Sequence, residues 1–250
     1  MASRQALVLA NWKLNGSMAL VEQFKTAFSG KKINAQIGVC TPYVYLAGAA
    51  QALRECKIEI GAQSISQYAS GAYTGEISAD MVTETGASFC LVGHSERRAI
   101  FGETDKDCNQ KLQAAKQKGL YAVLCVGESQ QEREDGQTNT VIEDQLKQAL
   151  AELDFSEQSL CIAYEPVWAI GTGLSATPKM AQDVHTFIRT KLSELANADA
   201  ANRISILYGG SVKKDSAKEL MAQADIDGLL VGGASLDADH FLAICENAQG

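Results

Sequence analysis

From end to end the chain alternates between short β-rich runs and amphipathic helical patterns, and the alternation occurs eight times. The runs are Ala6 to Ala10, Ile37 to Cys40, Ile58 to Gly61, Phe89 to Val92, Tyr121 to Val126, Leu160 to Tyr164, Ile204 to Tyr208 and Gly228 to Val231. Between them, apolar residues recur at three-to-four-residue spacing, as in Val141, Ile142, Leu146, Ala149, Leu150 and Leu153, or in Val184, Ile188, Leu192 and Leu195. Each such stretch predicts a helix with one buried face. A strand that returns to its sheet through a helix must run parallel to its neighbour, and a strand covered on both faces reads as a continuous apolar run. Eight cycles over 250 residues take about 31 residues each, close to the ~30 that a strand, a crossover helix and the next strand require. Both a closed (β/α)8 barrel and an open doubly wound sheet satisfy this arithmetic.

Nothing in the chain marks an internal boundary. Proline occurs only at Pro42, Pro166 and Pro178, and no Ser/Gly-rich spacer or charge block is longer than a loop. With 46% hydrophobic residues the chain has the material for one large core, and residues 1–250 are expected to form a single domain. A net charge of −8 argues against nucleic acid and anionic membranes as partners, because both demand an excess of Lys and Arg. The first apolar run is too short for a signal-peptide core, and no stretch approaches the roughly 20 apolar residues of a membrane span. A cytoplasmic protein is expected.

The seven cysteines, Cys40, Cys56, Cys90, Cys108, Cys125, Cys161 and Cys245, form no CxxC pair and no His-bearing metal pattern. They read as buried reduced thiols, Cys125 included, since its apolar neighbours offer no base or cation to make a thiolate.

Polar and glycine-rich signals follow strands one, four, six, seven and eight, consistent with one catalytic face at the strands' C-terminal ends. After strand six, Glu165 stands where an apolar run meets solvent; Pro166 ends the strand there, and Trp168, Gly171 and Gly173 follow in what reads as a mobile loop. A rim carboxylate of this kind is a candidate base. After strand one, Asn11-Trp12-Lys13-Leu14-Asn15-Gly16 offers Lys13 to an anionic substrate, although a Lys standing alone at a strand end reads first as a solvated surface cation, and only the company of the other motifs favours the site. After strand four, Gly93-His94-Ser95-Glu96-Arg97-Arg98 opens a helix, and the helix N-terminus is expected to lower the His94 pKa and keep the imidazole neutral. Glu96 is a partner for Lys13, while Arg97 and Arg98 suit structural ion pairs. His185 and His240 lack a partner motif and read as structural. The turns Tyr208-Gly209-Gly210-Ser211-Val212 and Val231-Gly232-Gly233-Ala234-Ser235 let backbone N–H groups crowd an anion at a helix N-terminus.

These five motifs, in this order and in these cycles, resemble the triosephosphate isomerase family over nearly the whole chain. The resemblance implies a (β/α)8 TIM barrel. It also implies an isomerase of glycolysis and gluconeogenesis that needs no cofactor and no metal, interconverting D-glyceraldehyde 3-phosphate and dihydroxyacetone phosphate through an enediolate. In that reading Glu165 is the base, and His94, Lys13 and Asn11 stabilise the developing charge; a Glu base, a neutral His and a closing loop together are the general pattern of that family. The resemblance further implies a phosphate held by Gly171, Ser211, Gly232 and Gly233, with Ser95, Glu96, Trp168, Glu128 and Tyr208 as supporting residues. Glu128 would hold Trp168 while the loop is open, and Tyr208 with Ser211 would latch it closed. The long segment Gln63 to Ser78 resembles the family loop that enters a partner subunit, so a homodimer is implied, with Thr74 at the interface. The chain departs from the family pattern at Ser64, where Asn is common, and at the hinge Leu174-Ser175-Ala176; neither takes part in proton transfer. Two other readings are a different phosphosugar-binding barrel, which would need another base, and a catalytically silent phosphate-binding scaffold, which would have lost Glu165, His94 or Lys13.

Overall fold

The computed structural model describes residues 4, 6–155, 159–170 and 176–248. Eight strands, β1 (Leu7–Asn11), β2 (Gln36–Thr41), β3 (Ile58–Ala62), β4 (Phe89–Val92), β5 (Tyr121–Val126), β6 (Leu160–Tyr164), β7 (Ser205–Tyr208) and β8 (Gly228–Val231), pair in chain order. Every pairing is parallel, and β1 closes on β8 through Leu7–Gly228 to Ala10–Val231. Closure settles the choice between barrel and open sheet in favour of the barrel. It also leaves no sheet edge in need of covering.

Why the strands read as continuous apolar runs is visible in how their side chains divide. Leu7 and Leu9 of β1 point inward with Phe89, Leu91, Val123, Cys161, Leu207 and Leu230, forming one buried cluster inside the barrel. Val8 and Ala10 point outward into a second and larger cluster shared with the helices. Apart from Gln36, Glu59 and Tyr121 near the strand starts, both faces of the strands are therefore dry, and alternation between polar and apolar positions is lost. Inside the barrel, Phe89 fills space that two neighbours vacate: a Cβ added to Gly61 would lie 2.4 Å from its ring, and one added to Gly38 2.8 Å.

The helices follow their local signals. The helix Asp105–Gln117 begins at Thr104, whose side chain accepts from the Asp107 N–H while the Asp107 carboxylate accepts from the Thr104 N–H, a reciprocal cap. The helix Pro178–Leu195 has Thr177 as its cap and proline in its first turn, where the missing N–H costs nothing. One expected pattern runs too far: the helix containing Val141 to Leu146 ends at Ala149, short of Leu150 and Leu153. The chain then turns through Glu152 at φ +58°, a conformation that stops a helix. Six of the seven cysteines are buried as expected, but Cys56 is half-buried. Burial pushes the Cys40 and Cys125 thiols well up, which keeps them protonated and unreactive.

Candidate active site

The C-terminal ends of β1, β4, β6, β7 and β8 surround a cavity of about 510 Å³ lined by Asn11, Lys13, His94, Glu165, Ser211 and Gly232 among others. That size lies in the range of small-ligand sites. Two walls differ in character: one carries titratable side chains, the other the two diglycine turns.

Glu165 is 3% exposed and both its carboxylate oxygens are engaged. Oε1 lies 2.9 Å from His94 Nε2, and Oε2 accepts the Ser95 backbone N–H at 2.9 Å. Position follows from the chain: the Glu165 N–H still donates to the Val126 carbonyl at 2.7 Å, and Pro166 then ends the ladder. Gly127 and Gly209 make the close approach possible. A Cβ on Gly127 would stand 1.8 Å from the Glu165 carbonyl oxygen, and one on Gly209 would stand 2.9 Å from its Cγ.

His94 caps the helix Ser95–Phe101 with its own ring, Nδ1 accepting the Glu96 backbone N–H at 3.2 Å. An acceptor at Nδ1 places the ring proton of the neutral form on Nε2, facing Glu165. The expected lowering of the His94 pKa is not what this arrangement gives. Burial pushes the pKa down, but the Glu165 carboxylate raises it through charge and hydrogen bond, Glu96 adds to this, and the net direction is up. The carboxylate that β6 brings to the ring decides the direction. Burial pushes the Glu165 carboxyl up, while His94, the Ser95 N–H and Lys13 bring it down by more, so the resting carboxylate is ionised.

Lys13 reaches the same cavity from β1 at a backbone φ of +53°, the left-handed region that non-glycine residues rarely occupy. Asn11 and Gln63 hold it there: Asn11 Oδ1 accepts the Lys13 N–H at 3.0 Å, and Gln63 Nε2 donates to the Lys13 carbonyl at 2.7 Å and to Asn11 Oδ1 at 3.3 Å. Lys13 Nζ pairs with Glu96 Oε1 at 2.7 Å, as expected. The ammonium also borders the diglycine wall, since a Cβ on Gly232 would lie 3.9 Å from it. Arg97 and Arg98 pair with Glu103 and Asp105, the structural roles expected of them.

A family model described as triosephosphate isomerase matches residues 6–248. The chain belongs to the triosephosphate isomerase family. Relatives of that name include one from Dechloromonas aromatica (strain RCB), 48% identical over 98% of this chain and all of its own length. Others come from Thiobacillus denitrificans (strain ATCC 25259 / T1), 48% identical over 98% of this chain and 99% of its own, and Halorhodospira halophila (strain DSM 244 / SL1), 47% identical over 96% and 97%.

The supporting residues that family resemblance implies fall around the loop after β6. Glu128 is fully buried and its Oε1 accepts from Trp168 Nε1 at 2.9 Å, Tyr164 OH at 3.1 Å and Arg133 Nη1 at 3.3 Å. The Arg133 guanidinium carbon also lies 4.4 Å from the Trp168 ring centre. On the opposite side the Ala176 N–H donates to Tyr208 OH at 3.3 Å, and a Cβ on Gly210 would lie 2.3 Å from that hydroxyl. Gly171 and two hinge residues, Leu174 and Ser175, lie outside the described residues. Thr74 lies not in the cavity wall but in the exposed stretch Gly71 to Glu76. Ser64 is buried, its Oγ accepting from Lys111 Nζ at 3.2 Å, so the departure from Asn leaves a hydrogen-bonded position.

Two contributors, Gln63 and Arg133, were not singled out by the sequence, and His240, expected to be structural, is among the cavity-lining residues. Gln63 follows β3 and Arg133 lies in the helix after β5, where no motif signals them; His240 lines the cavity from the last helix. His185 is structural as expected, and more than filler. It is fully buried on the helix Pro178–Leu195, with its ring edge-on to Tyr164 at 5.9 Å and tilted against Tyr208 at 6.5 Å, the tyrosines on either side of the loop. Burial pushes its pKa down to about 4. With the folded value below the unfolded ~6.5, the unfolded chain binds the extra proton, so this group's contribution is present above pH ~6.5 and is lost as pH falls towards 4. His185→Phe is expected to remove about 3 kcal/mol of the stability loss between pH 7 and pH 4. Urea midpoints at the two pH values check this; identical pH dependence in the variant would contradict it.

Proposed function

We propose that this protein interconverts D-glyceraldehyde 3-phosphate and dihydroxyacetone phosphate, the step shared by glycolysis and gluconeogenesis. The observation that carries the reading is the pairing of Glu165 with His94 Nε2 at 2.9 Å, beside Lys13 and two diglycine turns in one cavity. Glu165 removes a proton from the carbon next to the substrate carbonyl, the C–H electrons become the carbon–carbon double bond of an enediolate, and the carbonyl oxygen takes the negative charge. His94 Nε2–H, the Lys13 ammonium and Asn11 face that charge. Glu165 then returns the proton to the carbon that had carried the carbonyl, while the hydroxyl proton on the adjacent carbon's oxygen is transferred to the oxygen that had taken the charge, leaving a hydroxyl there and the new carbonyl beside it. No group is consumed.

Ser211, Gly232 and Gly233, together with Gly171, hold the phosphate by their backbone N–H groups. Closure of residues 166–176 over the site excludes water, which would otherwise weaken each charge interaction and let the enediolate expel phosphate. Trp168 leaves Glu128 as the segment closes, and Tyr208 with Ser211 receives it. Residues 1–250 act as a single domain, in the cytoplasm; no described helix is long and apolar enough to cross a membrane.

The working form is a homodimer. What supports it is an apolar surface unlike that of a solitary domain: Leu14 is 97% exposed, Val44 82% and Phe101 69%. Tyr68 and Tyr73, also partly exposed, stack at 3.7 Å within the 63–78 segment that would enter the partner. Thr74→Arg is expected to weaken the dimer by burying an unpaired charge, read as a concentration-dependent fall in sedimentation coefficient. A dimer unmoved by that change would refute the interface.

The reading is tested by following dihydroxyacetone phosphate formed from D-glyceraldehyde 3-phosphate by the purified wild-type protein. Turnover at a rate ordinary for enzymes supports it. A folded dimer without turnover would contradict it and turn the reading to the phosphate-binding scaffold or to a different phosphosugar-binding barrel.

A further inference from the structure

Glu103 and Lys111 are buried charged residues that do not line the cavity. Lys111 Nζ donates to Glu103 Oε2 at 2.6 Å and to Ser64 Oγ at 3.2 Å, and Arg97 Nε donates to the same carboxylate oxygen at 2.5 Å. Burial pushes the Glu103 carboxyl up, but Lys111 and Arg97 bring it down by more, so it is ionised. A buried ion pair is costly to desolvate, and apolar residues of similar volume commonly serve stability as well. Stability alone therefore does not account for these charges.

The other carboxylate oxygen has a different partner. Glu103 Oε1 accepts the Gly93 N–H at 2.8 Å, and Arg98 Nε donates to the Gly93 carbonyl at 2.8 Å. Arg98 is itself braced, donating to Asp105 at 2.6 Å and to the Cys125 carbonyl at 3.3 Å. Each peptide unit flanking the Gly93 Cα is thus held by a charged side chain, and such bonds are about twice as strong as neutral ones. Two fixed peptide planes fix the φ and ψ between them. At Gly93 nothing else would: it stands at φ +71°, and a glycine has no Cβ to confine it. The residue that follows is His94, whose Nε2 meets Glu165 at 2.9 Å. Both jaws come from the chain just beyond it, Arg98 from the helix Ser95–Phe101 and Glu103 from the turn after the left-handed Gly102.

We propose that Glu103 and Arg98 are positioning residues for His94, clamping Gly93 from both sides so that the imidazole faces Glu165 and the substrate carbonyl. The inference rests on the proposed role of His94 and extends it to two side chains that touch neither ring nor substrate. Misplacing a reacting group by about 1 Å costs on the order of 10²-fold in rate, so a clamp on the preceding residue is felt in turnover.

A role in stability alone would make kcat follow stability, whereas the clamp makes the two part. The double variant Glu103→Met, Lys111→Met removes both buried charges at similar volume and leaves the Gly93 N–H without its carboxylate. The conservative Glu103→Gln keeps an oxygen for that N–H but strips Lys111 of its counter-ion. With D-glyceraldehyde 3-phosphate as substrate, kcat and KM are measured for both and for wild type, together with urea midpoints and the ¹⁵N resonances of the His94 ring. The double variant is expected to keep its urea midpoint and to lose about 10- to 10²-fold in kcat, with KM little changed and the His94 resonances displaced. The Gln variant has a lower midpoint, because a buried Lys loses its partner, yet it recovers most of kcat and keeps the wild-type His94 resonances. Sulfate, which copies the phosphate's oxygens and cannot react, inhibits all three alike.

A double variant with wild-type kcat and unmoved His94 resonances overturns the clamp while leaving the isomerase reading standing. Losses of kcat that follow the losses of stability overturn it too, as does sulfate inhibition that weakens along with kcat. Wild type without turnover overturns the isomerase reading, and the His94 resonances then decide the clamp alone. Should the double variant not fold, Arg98→Lys is read by the same measures, since it keeps a cation for Asp105 without the fork that also spans the Gly93 carbonyl.

Discussion

Glu165→Ala lowers turnover by at least ~10²–10⁴-fold, the range a positioned acid or base supplies, while the barrel and its sulfate affinity persist. The fold survives because the variant removes a buried charge whose burial is itself unfavourable, and Gly209 and Pro166 still shape the turn. The loss registers a second time at His94. Without the carboxylate 2.9 Å from Nε2, what acts on the ring is burial and Lys13, both lowering, against Glu96, which raises. The His94 pKa is therefore expected to fall in the variant, as a histidine titration by NMR would record. Turnover within about threefold of wild type, or a His94 titration that does not move, would remove Glu165 from the role of base.

Lys13→Met comes next in magnitude. The ammonium stands between the carboxylate of Glu96, 2.7 Å away, and the diglycine wall at Gly232, so it serves both the developing oxyanion and the approach of an anionic substrate. Loss of a preorganised charge aimed at a developing oxyanion costs about 10²–10³-fold in kcat, and loss of the local cation raises KM as well. Lys13→Arg restores charge but not the compact point charge, and it recovers only part of the rate. Circular dichroism controls for folding, because Lys13 occupies a strained φ of +53° that methionine must also adopt. A kcat within about threefold of wild type in Lys13→Met would contradict the assignment.

How far the sequence foretold this depended on the distance over which each feature is written. The eight strands were legible because a strand dry on both faces, such as Leu7 to Asn11, carries its burial in its own composition. Closure was not, since periodicity cannot say that Leu7 pairs with Gly228. Glu165 stood out because Pro166 and the glycines beyond it mark the strand end locally. Its contact with His94 was hidden, and with it the direction of the His94 pKa, because two strand ends had to be brought together first. The Lys13–Glu96 pair was anticipated only because two separate motifs each suggested a site. Gln63 and Arg133 were missed because each contributes a single side chain from a stretch with no pattern of its own, and for the same reason His240 read as structural. The helix that ends at Ala149 rather than Leu153 shows the opposite error, an apolar spacing that continues after the backbone has turned.

The central event is a proton carried by Glu165 between adjacent carbons of a triose phosphate. Running the reaction from D-glyceraldehyde 3-phosphate in D2O, and reading deuterium in the dihydroxyacetone phosphate formed, tests that event directly. A base that holds the proton within reach of solvent exchanges part of it, so product bearing deuterium at the carbon that receives the proton is expected from wild type, and its formation is lost in Glu165→Ala. Product formed rapidly with its hydrogen wholly retained would mean that hydrogen moves between the carbons without a protein base, and would contradict the account.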